Sequence, residues 1–147
     1  MTARPNAIPA LSPLAHMARG MFPAWVGIGV TDPRCVSAPL LGGERAATAR
    51  MVPARHREFA AGRAAARQAM QAIGCPQIAV PIGADRAPVW PDGLRGSISH
   101  CATACIAVVG PAPIALGIDL EPDAPLDTNL IPHICMLPER DWLALQP

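Results

Sequence analysis

The chain contains no lysine and no tyrosine, so all twelve basic residues are arginines. Aromatic residues make up only 3% of its 147 positions. A domain of this length buries roughly 70% of its unfolded surface, so the core must be built from Ala, Val, Leu, Ile and Met. A formal net charge of +1 lacks the basic excess of a nucleic-acid groove or a membrane-surface patch. Neither a nucleic acid nor a membrane is expected as a partner. Long apolar runs are missing too. The most apolar stretch, 102–118, is broken by Gly110-Pro111 and Pro113, whereas a spanning helix needs about 20 continuous apolar residues. That stretch reads as a hairpin. The five cysteines, Cys35, Cys75, Cys101, Cys105 and Cys135, are odd in number and irregularly spaced. No signal-peptide pattern opens the chain, and the expectation is a reduced cytoplasmic protein.

What the chain has in abundance is Ala and Pro. Residues 1–21, with Pro5, Pro9 and Pro13, read as a Pro-rich irregular arm. Val26 to Val30 alternates at period two, as a short strand does. The segment 34–50 has no clear period and reads as loop with a short helix at most. Pro53 to Ile73 is the strongest helical stretch: Pro suits the first turn, Ala is dense, and Gly74 is placed to end the helix in a left-handed conformation. Phe59, Ala66, Met70 and Ile73 share one stripe, the expected core face. Arg55, Arg63 and Arg67 share a second flank, which taken alone fits a solvated face. Short strands are expected at Ile78 to Ile82, Gly96 to His100, Cys105 to Val109 and Leu116 to Glu121, the last two joined by the Gly-Pro-Ala-Pro turn. Asp127 to Cys135 and Pro138 to Leu145 read as two short helices.

Two constellations carry chemistry. In a strand over Leu116 to Glu121, Asp119 and Glu121 emerge on one face, and two such carboxylates can grip a hard divalent cation such as Mg²⁺. The same spacing also fits a solvated turn. Ser99-His100 is equally open, since a lone His on a strand often serves a structural role. His100, Cys101 and Cys105 invite a zinc reading, but their spacing matches no common structural zinc pattern. Buried thiols fit better.

The motifs Arg55-His-Arg-Glu-Phe59, Gly62-Arg63-x-x-x-Arg67, Arg86-x-Pro-x-Trp-Pro91, Gly96-Ser-Ile-Ser-His-Cys101 and Gly117-Ile-Asp-Leu-Glu121 occur in the order and spacing of 4′-phosphopantetheinyl transferases. The resemblance spans about residues 40 to 143 and is strongest to the enterobactin-synthetase-associated branch of the surfactin-type group. It implies an α+β fold of two similar halves related by a pseudo-twofold axis, with coenzyme A between them. On that pattern 22–112 would be the N-terminal half and 113–147 the start of the second. The implied reaction moves the phosphopantetheine arm of coenzyme A onto a serine of an acyl- or peptidyl-carrier protein, releasing adenosine 3′,5′-bisphosphate. By resemblance, Arg55 and Arg63 contact the 3′-phosphate region with help from His100. Arg86 and Ser99 border the nucleotide. Asp119 and Glu121 are the implied Mg²⁺ ligands and, with His100, the implied catalytic residues. Asp119 and Glu121 are expected to face a shared pocket with His100, flanked by Arg55 and Arg63 from the Pro53 to Ile73 helix.

The family also carries a Trp-x-x-Lys-Glu-x-x-x-Lys segment whose Glu completes the metal site and helps deprotonate the acceptor serine. This sequence has no Lys, and the match runs out at Pro138-Glu-Arg-Asp-Trp-Leu143. The expectation is therefore a transferase sequence lacking its C-terminal part. A non-catalytic coenzyme A-binding fragment, or one half of a split transferase, is the alternative.

Overall fold

The computed structural model describes residues 11–35 and 38–146. The first ten residues of the expected arm lie outside the described residues. The remainder of that arm is not irregular: Ser12–Met21 form helix α1, with Pro13 in the first turn. Leu14 and Ala18 lie one turn apart and dock on the sheet, and that contact overrides the irregular reading.

Strand β1 (Gly27–Thr31) leads through a 3-10 helix (Gly42–Thr48) into the long helix α2 (Pro53–Ala72). Strands β2 (Leu94–His100) and β3 (Cys105–Pro111) complete an antiparallel sheet of order β1-β3-β2. Ala107 of β3 sits between Gly29 of β1 and Ile98 of β2. A 3-10 turn (Thr128–Leu130) and the short helices α3 (Ile131–Ile134) and α4 (Leu137–Leu143) follow. The class is α+β, and Gly74 ends α2 with φ 76° as its position suggested.

Helix α2 packs on one sheet face through Ala65, Ala66, Ala69 and Met70, all fully buried against Ala107, Val109 and Val80. Its small side chains let the helix lie close. A Cβ on Gly29 would stand 2.0 Å from the carbonyl oxygen of Ala65, so only glycine permits the approach. The opposite face carries Ile28, Ile106 and Val108, covered by α1 and by Leu116, Ile118 and Leu120. The sheet is thus sandwiched between α2 on one side and a thinner layer on the other.

Two expected strands do not form. Ile78 to Ile82 has only an isolated bridge between Ile82 and Pro88. Side chains occupy its backbone groups instead: the Val80 N–H donates to Glu44 at 2.8 Å and the Val80 carbonyl accepts from Arg63 at 2.5 Å. Leu116 to Glu121 keeps its inward alternation of Leu116, Ile118 and Leu120 but makes no ladder, so the expected hairpin with β3 is absent. Serines of β2 take its backbone groups. Ser97 Oγ donates to the Ile118 carbonyl at 3.5 Å and Ser99 Oγ accepts from the Leu120 N–H at 3.1 Å.

Candidate functional site

On the α2 side of the sheet, a cleft of about 190 Å³ opens between the first half of α2, the end of β2 and the turn at 83–87. Helical periodicity brings Arg55, Glu58, Phe59, Gly62 and Arg63 to one face of α2, and strand alternation brings Ile98 and His100 to meet them. Ile82, Arg86 and Pro88 close the third side. The turn is pinned by the Gly83 N–H donating to the Ala87 carbonyl at 2.8 Å and by the Ala87 N–H donating to Asp85 at 3.0 Å. Arg86 sits in it at φ 69°, a left-handed conformation that non-glycine residues adopt at a cost. Such strain concentrates where a turn presents a side chain to a ligand.

Arg63 is the chemical centre of the cleft. It is only 6% exposed, stacks over Phe59 at 4.3 Å from the ring centroid and donates Nε–H to Val80. Burial pulls its pKa down to about 10, with Arg55 and Arg67 pushing the same way and Glu44 opposing. It therefore stays charged at neutral pH, and among the described residues no carboxylate forms a salt bridge with it. A desolvated guanidinium without a counter-charge is costly, and an anion entering the cleft would relieve that cost.

The other two arginines of the stripe differ. Arg55 is half exposed, lies 2.6 Å from His100 Nε2 and 3.2 Å from Glu58 Oε2. Arg67 is no solvated residue and no part of the cleft. Buried with Glu44, it donates Nη1–H to both carboxylate oxygens at 3.0 Å and Nη2–H to the Pro39 carbonyl at 2.9 Å. Glu44 itself is 0% exposed and also accepts from the Leu41 N–H at 2.8 Å.

The expected single pocket is divided. Arg55, Arg63, Arg86 and His100 share the cleft, whereas Ser99 and Asp119 do not line it. Ser99 and His100 are neighbours on β2 and so face opposite sides of the sheet. Ser99 Oγ donates to Asp119 Oδ1 at 2.7 Å on the far side from α2. That bond, together with the Leu120 N–H, holds the Asp119 carboxyl below its usual range. Glu121 is exposed. Asp119 thus sits beside Ser99 near the end of β2, whose outer edge carries no further strand among the described residues. No group of three or more His, Cys, Asp or Glu side chains able to hold a metal ion occurs among the described residues. The cysteines are free, and burial raises the Cys105 thiol to about 12, which leaves it protonated.

Sequence reasoning assigned no role to Glu44 or Glu58. Glu58 had a signal, three residues after Arg55 on one helix face. Glu44 had none, because it lies in a segment without periodicity and its partners come from positions 41, 67 and 80.

Residues 43–110 match the family model described as the 4′-phosphopantetheinyl transferase N-terminal domain. The chain is 38% identical over 136 residues to 4′-phosphopantetheinyl transferase Svp of Streptomyces mobaraensis, covering 87% of this chain and 54% of that protein. Against enterobactin synthase component D of Salmonella typhimurium it is 40% identical over 89 residues, 60% of this chain and 38% of that one. The chain thus spans about half or less of the length of these relatives. Its fold resembles a crystal structure of a holo-(acyl-carrier-protein) synthase from Bacillus anthracis str. Ames in complex with CoA (3′,5′-ADP), with a TM-score of 0.50, 23% identity and coverage of 58% of this chain and 93% of that chain. No helix among the described residues is long and apolar enough to cross a membrane. Over residues 43–110 the chain is similar to the N-terminal domain of the 4′-phosphopantetheinyl transferase family, and its similarity to the curated transferases includes that stretch.

Proposed function

We propose that this chain supplies the coenzyme A-binding half of a 4′-phosphopantetheinyl transferase, which moves the phosphopantetheine arm of coenzyme A onto a serine of an acyl- or peptidyl-carrier protein. The observation that carries the reading is Arg63, buried and charged at the back of a cleft with Arg55, Arg86 and His100, and without a carboxylate partner among the described residues. A phosphate ester fits that need. Guanidinium forks bind phosphate oxygens in charge-assisted pairs, and Phe59 fixes the Arg63 plane from below.

In this reaction the serine oxygen bonds to the phosphorus bearing the arm, the pyrophosphate bridge breaks, and adenosine 3′,5′-bisphosphate leaves. Positioning and charge neutralisation supply most of the acceleration in phosphoryl transfer. Arg55 and Arg63 would hold the 3′-phosphate region, and Arg86 would approach the nucleotide from its strained turn. Asp119 and Glu121 are exposed carboxylates two residues apart, a donor type that would suit Mg²⁺, which is usually held by one or two carboxylates plus waters and substrate phosphates. The ion would neutralise charge on the pyrophosphate. Ser99 orients Asp119 for that role rather than lining the nucleotide cleft. A ligand that reaches both the cleft and Asp119 would pass the His100 end of β2. Five free thiols are in keeping with a reducing, cytoplasmic setting.

Calorimetry with coenzyme A, 3′,5′-ADP and dephospho-coenzyme A tests this reading. The first two are expected to bind, and the last to bind more weakly. Arg63→Ala should lose about 10- to 100-fold in affinity, the equivalent of about 1.5–3 kcal/mol for a hydrogen bond to a charged group. Equal binding with and without the 3′-phosphate would overturn the assignment of the cleft. A transfer assay with Mg²⁺ and an apo carrier protein separates the two roles: binding without turnover in this chain marks it as the binding half alone.

A further inference from the structure

We propose that filling the cleft with a phosphate monoester takes up one proton onto His100, and that Glu58 is the positioning residue that makes this coupling possible. The proposal rests on the reading of the cleft as a phosphate site. It starts from the 2.6 Å contact between Arg55 Nη1 and His100 Nε2. A guanidinium can only donate hydrogen bonds, so Nε2 must accept with its lone pair. In this geometry the ring proton belongs on Nδ1, which lies 3.8 Å from Glu58 Oε2. The same Glu58 oxygen lies 3.2 Å from Arg55. In the ligand-free protein Arg55 bridges the ring and the carboxylate, while Nδ1 and Glu58 face each other beyond hydrogen-bond distance.

A phosphate monoester dianion disturbs that arrangement. It only accepts hydrogen bonds, so Arg55 turns its donors to the phosphate and leaves Nε2 without one. A bare nitrogen lone pair facing a dianion is repelled. A proton from solvent on Nε2 converts it into a second donor, and the balance is protein plus dianion plus one proton giving the complex. The imidazolium then needs a counter-charge on its other side. Arg63 and Arg86 line the same cleft and oppose it. Cys105, the register partner of His100 on β3, stays a neutral thiol, Cys101 is the next residue of the chain, and Asp119 lies across the sheet. Among the described residues that line the cleft, Glu58 is the one carboxylate. At 3.8 Å from Nδ1 it supplies a nearby counter-charge for the protonated ring.

The experiment is a calorimetric titration of the whole 147-residue chain with 3′,5′-ADP in two buffers of different ionisation enthalpy. It is run between about pH 7 and pH 8.5, where a phosphate monoester is already largely dianionic. The expected result is a net proton uptake on binding, with affinity falling as pH rises in proportion to that uptake. His100→Gln should abolish the uptake and flatten the pH profile. Glu58→Gln should lower the uptake by more than half while 3′,5′-ADP still binds, and Glu58→Asp should restore it, which a role in folding alone would not produce. Nitrogen NMR of the imidazoles gives the same answer without a variant: His100 protonated on Nδ1 alone when free, and on both nitrogens when bound. Tight binding with no uptake, or a doubly protonated free ring, overturns the proposal and leaves the phosphate site standing. Equal uptake and equal affinity with inorganic phosphate sustain the coupling but refute the nucleotide reading. Failure of both ligands to bind refutes the two together.

Discussion

Replacing Glu44 by Ala is expected to be the most damaging single change in this domain. The wild-type carboxylate is fully buried and accepts from Arg67, Leu41 N–H and Val80 N–H at 2.8–3.0 Å. Truncation leaves the Arg67 side chain, 7% exposed, without its counter-charge and two backbone donors without a carboxylate. Breaking a buried pair from one side costs about 3–5 kcal/mol, against a total stability of about 5–15 kcal/mol for a domain. For a chain of this size the loss corresponds to a melting temperature lower by about 10–16 °C. Urea unfolding followed by tryptophan fluorescence measures it. Val80 also anchors Arg63, so the folded fraction should bind 3′,5′-ADP less tightly. The double variant Glu44→Met with Arg67→Met supplies the control. Removing both charges together avoids the orphaned ion, and its cost should be much smaller than that of Glu44→Ala. A Glu44→Ala protein within about 1 kcal/mol of wild type, or a double variant worse than the single, would refute the reasoning, since typical substitutions already cost that much.

Gly29→Ala should push α2 off the sheet, because its Cβ would meet the Ala65 carbonyl oxygen at 2.0 Å. The expected loss is about 1–3 kcal/mol or more, read by denaturation and by faster amide exchange in β1 and β3; unchanged stability would show that the helix seat is looser than drawn. Asp32 gives a pH signature. Arg34 binds its carboxylate and lowers the pKa to about 2 from 3.8, with burial working against it. A depressed folded-state value stabilises above the unfolded value and is lost as pH falls, so wild-type stability should decline from about pH 4 toward pH 2. Asp32→Asn should be less stable at neutral pH and flatter over that window. Parallel acid limbs for the two proteins would remove Asp32 from the account.

Where each side chain's partners were close in sequence, the sequence alone determined the outcome. Helix α2, its Ala-rich buried face and its stop at Gly74 follow from local propensity and period, and so do β1, β2 and β3. Arg55 and Arg63 were legible as one helix flank, but His100 joined them only through the family resemblance until the structure showed it lining the same cleft. What the tertiary structure decided was where long-range polar groups spent their bonding capacity. Arg67 looked like its stripe-mates, yet Glu44, 23 residues away, drew it into a buried pair. Ile78 to Ile82 and Leu116 to Glu121 carried strand-like patterns, but Glu44, Arg63 and the serines of β2 claimed their backbone groups before another strand did. The separation of Asp119 from His100 has the same origin. Period-two alternation placed Ser99 and His100 on opposite faces of the sheet, and only the hydrogen bond from Ser99 showed which face Asp119 would join.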